Sequence, residues 1–418
     1  MPVSATPAYL GKDFSNASPG LRFGMFLPLW GIDRRTGELL WNTADTDYAV
    51  RGQAREERAI KVENKTSALQ QACKLTAGDK TAMQALAARQ THQASTCTDV
   101  LTLDAIATAP FTTGLGNEHP LENGFAFLNP YGLPYLPGSG VKGVLRQAAR
   151  ELASGEWGET HGWDAEKIHL MGRIELSVID VLFGRETESG DSNHVRGALS
   201  FWDALPQIPG DSLAVDIMTP HQSHYYQKDD TPHDSGQPTP ISFLTLPPGT
   251  GFAFHVQCDL AHLTRLAPDL AHGDRWRTLL TAAFAHAFEW LGFGAKTAVG
   301  YGAMQADERA SRRREETRQA ATQAAHRASL SPALQRIETF VAELRIKHEQ
   351  YPTFKENPNG AFHAKARDLA KAAHEATDWS AEEKRAAAQA IEDWLPKLVR
   401  VDIKDERKKL KLGALKGP

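Results

Sequence analysis

Hydrophobic positions recur along this chain with two periods, and the switches between them mark out its elements. The run Val-Leu-Thr-Leu-Asp-Ala-Ile-Ala-Thr-Ala after Asp99, closed by Pro110, reads as a strand. Strands are also predicted at Ile174–Leu182, Gly197–Trp202 and Gly251–Cys258, with a strand-like stretch at Gly124–Leu128 and one of broken alternation over 20–30. The helical period appears from Ser139, where Val141, Val144, Leu145, Ala148 and Leu152 share one face and Lys142, Arg146 and Arg150 another. It returns after Asp274, a candidate N-cap, with Trp276, Leu279, Leu280, Ala283, Phe284, Ala287 and Leu291 as the stripe. Gly292 follows where a C-terminal glycine belongs. The order strand, helix, strands, helix, strand predicts an α+β sandwich of ferredoxin type. Residues 51–98, rich in Ala, Gln, Lys and Glu, read as a helical insertion.

Beyond residue 305 the character changes. Residues 306–328 are charged, Ala-rich and helical in pattern; Ser331-Pro332 opens a further helix, and Ser380-Ala-Glu-Glu383 is a capping box for one ending near Leu395-Pro396. The chain therefore divides into a core at 1–305 and an all-helical extension at 306–418. From 306 onward 23 Lys and Arg stand against 18 Asp and Glu, a net of +5, whereas 1–305 carries 24 against 33, a net of -9. An acidic body excludes a protein that coats nucleic acid over its whole surface and leaves room for a localised basic stripe.

The composition, 41% hydrophobic and 23% charged, is that of a globular protein. With no basic-then-apolar leader and no apolar run of spanning length, no membrane association is expected. Cys73, Cys97 and Cys258 are few and scattered, which fits a reducing cytoplasm and offers no CxxC knuckle. No HExxH, no Ser-His-Asp order and no paired carboxylates stand out, so neither a cofactor nor a catalytic centre is expected.

Two glycine-punctuated segments carry the candidate chemistry. The first, Gly132-Leu-Pro-Tyr-Leu-Pro-Gly-Ser-Gly-Val-Lys-Gly-Val-Leu-Arg146, enters a helix N-terminus whose free amides suit phosphate, with Lys142 and Arg146 extending the site. The second runs from Gly292 through Gly294, Lys296, Thr297, Gly300 and Tyr301 to Gly302; it has neither Walker nor dinucleotide spacing. It follows a helix, so anion binding there would rest on a nest of amides and on Lys296. The two segments are expected to converge on one side of the fold and hold a ribose-phosphate strand. Arg196 is placed for a backbone phosphate. His221 and His224 could act as acid and base or belong to an ordered loop, and Tyr225 and Tyr226 could stack on bases.

Taken together, Gly114-Leu-Gly, the Gly132–Arg146 segment, Leu182-Phe-Gly184, Gly197-Ala-Leu-Ser-Phe-Trp-Asp203 and Gly294–Gly302 resemble the RAMP superfamily of CRISPR–Cas proteins. The stretch Asp216-Ile-Met-Thr-Pro-His followed by Tyr225-Tyr226, with Pro240-Ile-Ser-Phe-Leu244, is similar to the sixth RAMP subunit of the type III-B Cmr complex. The resemblance covers roughly 99–305. It implies an RRM-like core in an RNA-guided ribonucleoprotein, next to guide RNA, target RNA, other RAMP subunits and small helical subunits. It further implies a non-nuclease subunit that caps the filament near the guide 3′ end, with Gly292–Gly302 as the glycine-rich loop and Lys142 and Arg146 on the RNA-facing helix. The alternative is a metal-independent endoribonuclease on the same fold, with His119, His221 or His224 as general base.

Overall fold

The computed structural model describes residues 1–43, 63–170, 174–186, 194–219 and 240–417, which form two compact units, Met1–Arg312 and Arg313–Pro418. The first unit opens with a short helix, α1 (Pro19–Gly24), and a hairpin of β1 (Trp30–Ile32) with β2 (Leu39–Trp41). The strand expected over 20–30 is thus helix up to Gly24 and irregular from there to the start of β1 at Trp30. Pro19, in the first turn, presets a helical φ, and Arg22 and Phe23 turn inward together. The described part of the insertion is α2 (Lys65–Cys73) and α3 (Ala77–Thr96). The α2 helix buries Ala68, Leu69, Ala72 and Cys73 along one stripe, and burial pushes the Cys73 thiol up to about 12. The α3 helix is held at its start by a reciprocal Thr76–Asp79 capping box and buries little else, which is why no stripe shows in its sequence.

The main sheet begins at β3 (Val100–Ala107). The chain then forms a small hairpin of β4 (Phe127–Leu128) and β5 (Leu133–Pro134), the helix α4 (Gly138–Ser154), and a second hairpin of β6 (Ile168–Leu170) and β7 (Ile174–Leu176). A short helix, α5 (Val178–Phe183), follows, so the strand expected over Ile174–Leu182 breaks in the middle. Ser177 Oγ accepts from Asp180 N while the Asp180 carboxylate accepts from Ser177 N, a box that starts a helix at once. Then come β8 (Leu199–Phe201), the hairpin β9 (Ala214–Met218) with β10 (Ile241–Thr245), β11 (Gly251–Cys258) and β12 (Met304–Ala306).

Four of these strands make one antiparallel sheet in the order β12-β3-β11-β8, with Val256 opposite both Leu101 and Phe201, and Met304 opposite Ala107. The α4 helix buries Val141, Leu145, Ala148, Ala149 and Leu152, and the helix Arg275–His286 buries Trp276, Leu279, Leu280, Ala283 and Phe284. Asp274 occupies the N-cap position of that helix, but its carboxylate pairs with Arg277 at 3.6 Å and does not cap. The helix continues as a π turn, Ala287–Leu291, and stops at Gly292. Phe254, Phe284, Phe288 and Phe293 close the core, with ring centroids 4.9–6.2 Å apart. Tilted aromatic contacts at these separations add to the gain from burial.

In the second unit the helices Pro332–Gln350, Ala361–Glu375 and Ala381–Leu398 pack Ile337, Phe340, Leu344, Leu369, Ile391, Leu395 and Leu398 against one another. Ser331 and Ser380 cap as expected, but Pro396 does not end its helix, which runs to Leu398. Two short helices, Ile403–Lys409 and Leu412–Lys416, complete the unit and aim cations at Glu392. Arg407 donates to it from Nε and Nη2 at 2.7 Å each, and Lys416 Nζ at 2.8 Å. These bonds outweigh burial and hold the carboxyl down at about 2 instead of 4.5. A carboxyl lowered on folding stabilises the fold above its unfolded value and loses that contribution as pH falls toward its folded one. Thermal unfolding followed by circular dichroism should therefore show the helical unit weakening between pH 4.5 and about 2. In Glu392→Gln this part of the acid dependence should be gone.

Candidate nucleic-acid interface

The loop Gly292–Gly302 is built by backbone pairing. Phe293, fully buried, anchors it; Phe293 N donates to Gly302 O at 2.9 Å, Gly302 N to Pro110 O at 2.8 Å, and Ala295 N to Thr112 O at 2.8 Å. Gly292, Gly294, Gly300 and Gly302 all have positive φ. At Gly302 (φ 72°) a Cβ would lie 1.8 Å from Phe293 O, so glycine is required there by close approach as well as by φ. Val299, Gly300 and Tyr301 likewise donate their amides to loop carbonyls. These bonds engage the amides of Gly292, Phe293, Ala295, Val299, Gly300, Tyr301 and Gly302, and do not involve the consecutive amides of Lys296, Thr297 and Ala298. What faces outward is Gly294 and the run Ala298, Val299 and Gly300, beside half-buried Lys296 and Thr297.

The loop docks on the β9–β10 hairpin. Lys296 Nζ lies 3.0 Å from Met218 Sδ and 5.3 Å from the centre of the buried Phe243 ring, and no carboxylate among the described residues pairs with it. Tyr301 Oη donates to the Asp216 carboxylate at 2.6 Å, and burial together with that carboxylate pushes the phenol up to about 12. Its hydroxyl is committed, so Tyr301 offers a ring and not an acid. The Asp216 partnership had no local signature, because 85 residues separate the two.

At the start of α4, Asp203 Oδ1 accepts from Gly138 N at 2.7 Å, and the amides of Gly140 and Val141 donate to Pro137 O. The protein's own carboxylate thus stands where a phosphate was expected. A Cβ on Gly138 would lie 2.2 Å from Phe201 O, so that glycine serves the packing of α4 against β8. Arg146 donates from Nη2 to Gly184 O at 2.9 Å and pairs through Nη1 with Glu186 at 2.9 Å; Arg150 meets the same Glu186. Of the three-residue cationic stripe only Lys142 has no such partner among the described residues. Arg196, largely exposed, pairs with Asp259 at 2.6 Å, an exchangeable surface contact that a phosphate would have to displace.

The sheet register keeps the two glycine segments apart. Gly138 lies against the end of β8, and Gly302 leads into β12, so they border opposite edges of the sheet. Three strand spacings separate those edges, about 14 Å. The single grip expected from the sequence would have to reach across the sheet, from the start of α4 beside β8 to the loop that leads into β12. His221, His224, Tyr225 and Tyr226 lie outside the described residues. His119 stacks on Phe23 at 3.9 Å, accepts from Leu121 N at Nδ1 and donates from Nε2 to Phe23 O; burial lowers its pKa. Both ring nitrogens are thereby occupied.

Residues 104–305 match the RAMP superfamily. Over 236 residues the chain is 29% identical to the CRISPR system Cmr subunit Cmr6 of Pyrococcus furiosus, covering 45% of this chain and 63% of that protein. Over 135 residues it is 33% identical to the subunit of the same name from Saccharolobus solfataricus, covering 32% and 36%. The chain thus spans less than two thirds of the length of either relative. Among solved structures, the type III-B Cmr-beta complex bound to cognate target RNA contains a chain matched with a TM-score of 0.38 at 18% identity, over 58% of this chain and 71% of that one. The crystal structure of Cmr6 from Pyrococcus furiosus gives a TM-score of 0.28 at 27% identity, over 50% and 97%.

Proposed function

We propose that this chain, whose residues 104–305 match the RAMP superfamily and which is similar to Cmr6 subunits, is a non-catalytic, cytoplasmic subunit of a type III-B CRISPR effector ribonucleoprotein. It holds guide RNA through its backbone near the 3′ end and caps the protein filament there, next to target RNA and other RAMP and helical subunits. A ferredoxin-type reading of the core is supported by the strand order. Numbered as core strands one to four, β3, β8, β11 and β12 lie in the order 4-1-3-2, with α4 after the first and the helix Arg275–His286 after the third.

The observation that carries the RNA reading is Lys296. Its ammonium sits on a glycine-bounded loop, half-buried against a thioether and a ring, with no carboxylate neutralising it among the described residues. Such a charge, partly stripped of water, gains most from an incoming phosphate. Catalysis is disfavoured by the commitments of His119 and Tyr301.

Filter binding of the full chain to single-stranded RNA over a salt series tests this. Affinity should fall linearly in log salt. Lys296→Ala should weaken binding and flatten the slope by roughly 0.7, the value for one phosphate of a single strand. Lys142→Ala should act in the same direction, and both should act equally on unrelated sequences. Absence of binding, or a weakening confined to one sequence, would refute the backbone-contact reading. Repeat RNA incubated with the chain in EDTA should come back intact; discrete cleavage abolished by His221→Ala or His224→Ala would make the protein a nuclease instead.

A further inference from the structure

Just before the glycine loop, the first unit displays a paired aromatic patch. Trp157, in the turn after α4, is 46% exposed, and Trp290, in the π turn Ala287–Leu291, is 59% exposed. Their ring centroids are 5.2 Å apart, and Trp157 also meets the His286 ring edge-on at 5.1 Å. His286 is fixed from below by Glu151 at 2.7 Å. Two large indoles in mutual contact, resting on a buried ion-pair-type support and still open to water, do not contribute to the core. The turn that presents Trp290 is a π turn, a rare conformation that recurs at functional positions.

Acidic residues flank this pair along the chain, while the Arg275 guanidinium lies against Gly162 in the same segment. Between 151 and 166 the chain has five acidic residues, Glu151, Glu156, Glu159, Asp164 and Glu166, and no Lys or Arg. Glu156 adjoins Trp157 and Glu289 adjoins Trp290, both exposed. Indole faces attract cations, Arg above all, and nearby carboxylates reinforce the attraction; phosphate is repelled by the same field. Aromatic anchors ringed by charge are also what protein interfaces favour. We infer that the Trp157–Trp290 patch is a docking site for a Lys/Arg-bearing segment of another protein, distinct from the nucleic-acid contacts. This stands independently of the RNA reading, since the patch shares no residue with Lys296 or Lys142.

The test uses the full chain and a fluorescein-labelled dodecapeptide rich in Arg and Lys, followed by anisotropy, with a Gln-substituted peptide and a single-stranded RNA as comparisons. Saturable binding of the basic peptide is expected, weakened roughly tenfold by Trp290→Ala and largely kept by Trp290→Tyr, which retains a π face. The double change Glu156→Gln with Glu159→Gln should weaken it similarly without touching the indoles, so a folding defect in one variant cannot imitate the result. RNA affinity should stay the same in all of them. Basic-peptide binding that is absent, or equal in wild type and Trp290→Ala, overturns the assignment. So does a fall in RNA affinity in Trp290→Ala, which would make the pair a base-stacking platform. Failure of the RNA proposal would leave the peptide result unchanged, and the reverse also holds.

Discussion

Gly302→Ala should lower the thermal midpoint of the first unit by about 10 °C and abolish the loop's share of RNA binding. The added methyl would sit 1.8 Å from Phe293 O, a distance no side-chain adjustment relieves because the obstacle is backbone. A left-handed φ of 72° adds a conformational penalty of about 1–2 kcal/mol. Relief of the overlap must weaken the Phe293 N to Gly302 O bond, which closes the loop on itself, and the Gly302 N to Pro110 O bond, which ties it to the residues after β3. Overlap and φ together amount to about 3–4 kcal/mol. Gly300→Ala is the matched comparison: its φ is 94° but nothing lies within 4 Å of the new methyl, so only the smaller conformational cost should appear. Differential scanning calorimetry of the two variants separates the contributions. Equal, small shifts would mean that the loop is more pliant than its hydrogen bonds indicate.

Arg22→Met should destabilise the first unit by about 3–5 kcal/mol, comparable to breaking a buried charge pair. Arg22 is 5% exposed. Its Nε donates to Ala17 O at 2.8 Å, its two terminal nitrogens donate to Gln71 O and Lys74 O at the end of α2, and Asp79 of α3 lies 4.0 Å away. Three carbonyls and a carboxylate converge on one planar cation, a geometry that lysine cannot reproduce with a single ammonium. Methionine fills most of the space but leaves those acceptors buried and unmet. Urea denaturation should show the midpoint falling, and limited proteolysis should open the α2–α3 region first. An unchanged midpoint would show that water replaces the guanidinium at little cost.

Much of the fold was legible because its signals are local. The strand Gly251–Cys258 emerged with the same ends in sequence and structure, since the turn formers before it and the alternation of Phe252, Phe254 and Val256 agree. The helix buried through Trp276, Leu279 and Leu280 emerged for the same kind of reason, as did the caps at Ser331 and Ser380. Errors arose where a short element was too brief for its period to register. Pro19–Gly24 and Val178–Phe183 each make under two turns, and in the second case the Ser177–Asp180 box was the signal that should have outweighed the β-branched residues. At the candidate site, residue types were readable but their partners were not. That Asp203 occupies the α4 N-terminus, that Arg146 reaches Gly184 and that Asp216 takes Tyr301 are consequences of tertiary packing across 38 to 85 positions. The same limit hid the sheet order that sets the two glycine segments beside different edges.

The π turn before Gly292 sets a rotational phase. Each i→i+5 turn holds one residue more than an α-helical turn, and one residue is worth about 100° of azimuth and 1.5 Å of advance along the axis. The glycine loop and Trp290 therefore owe their bearings to a single surplus position in Ala287–Leu291. A one-residue deletion there would leave the helix intact while swinging the loop and its lysine round the axis, so that helix length, and not only loop sequence, encodes where this protein points its charge.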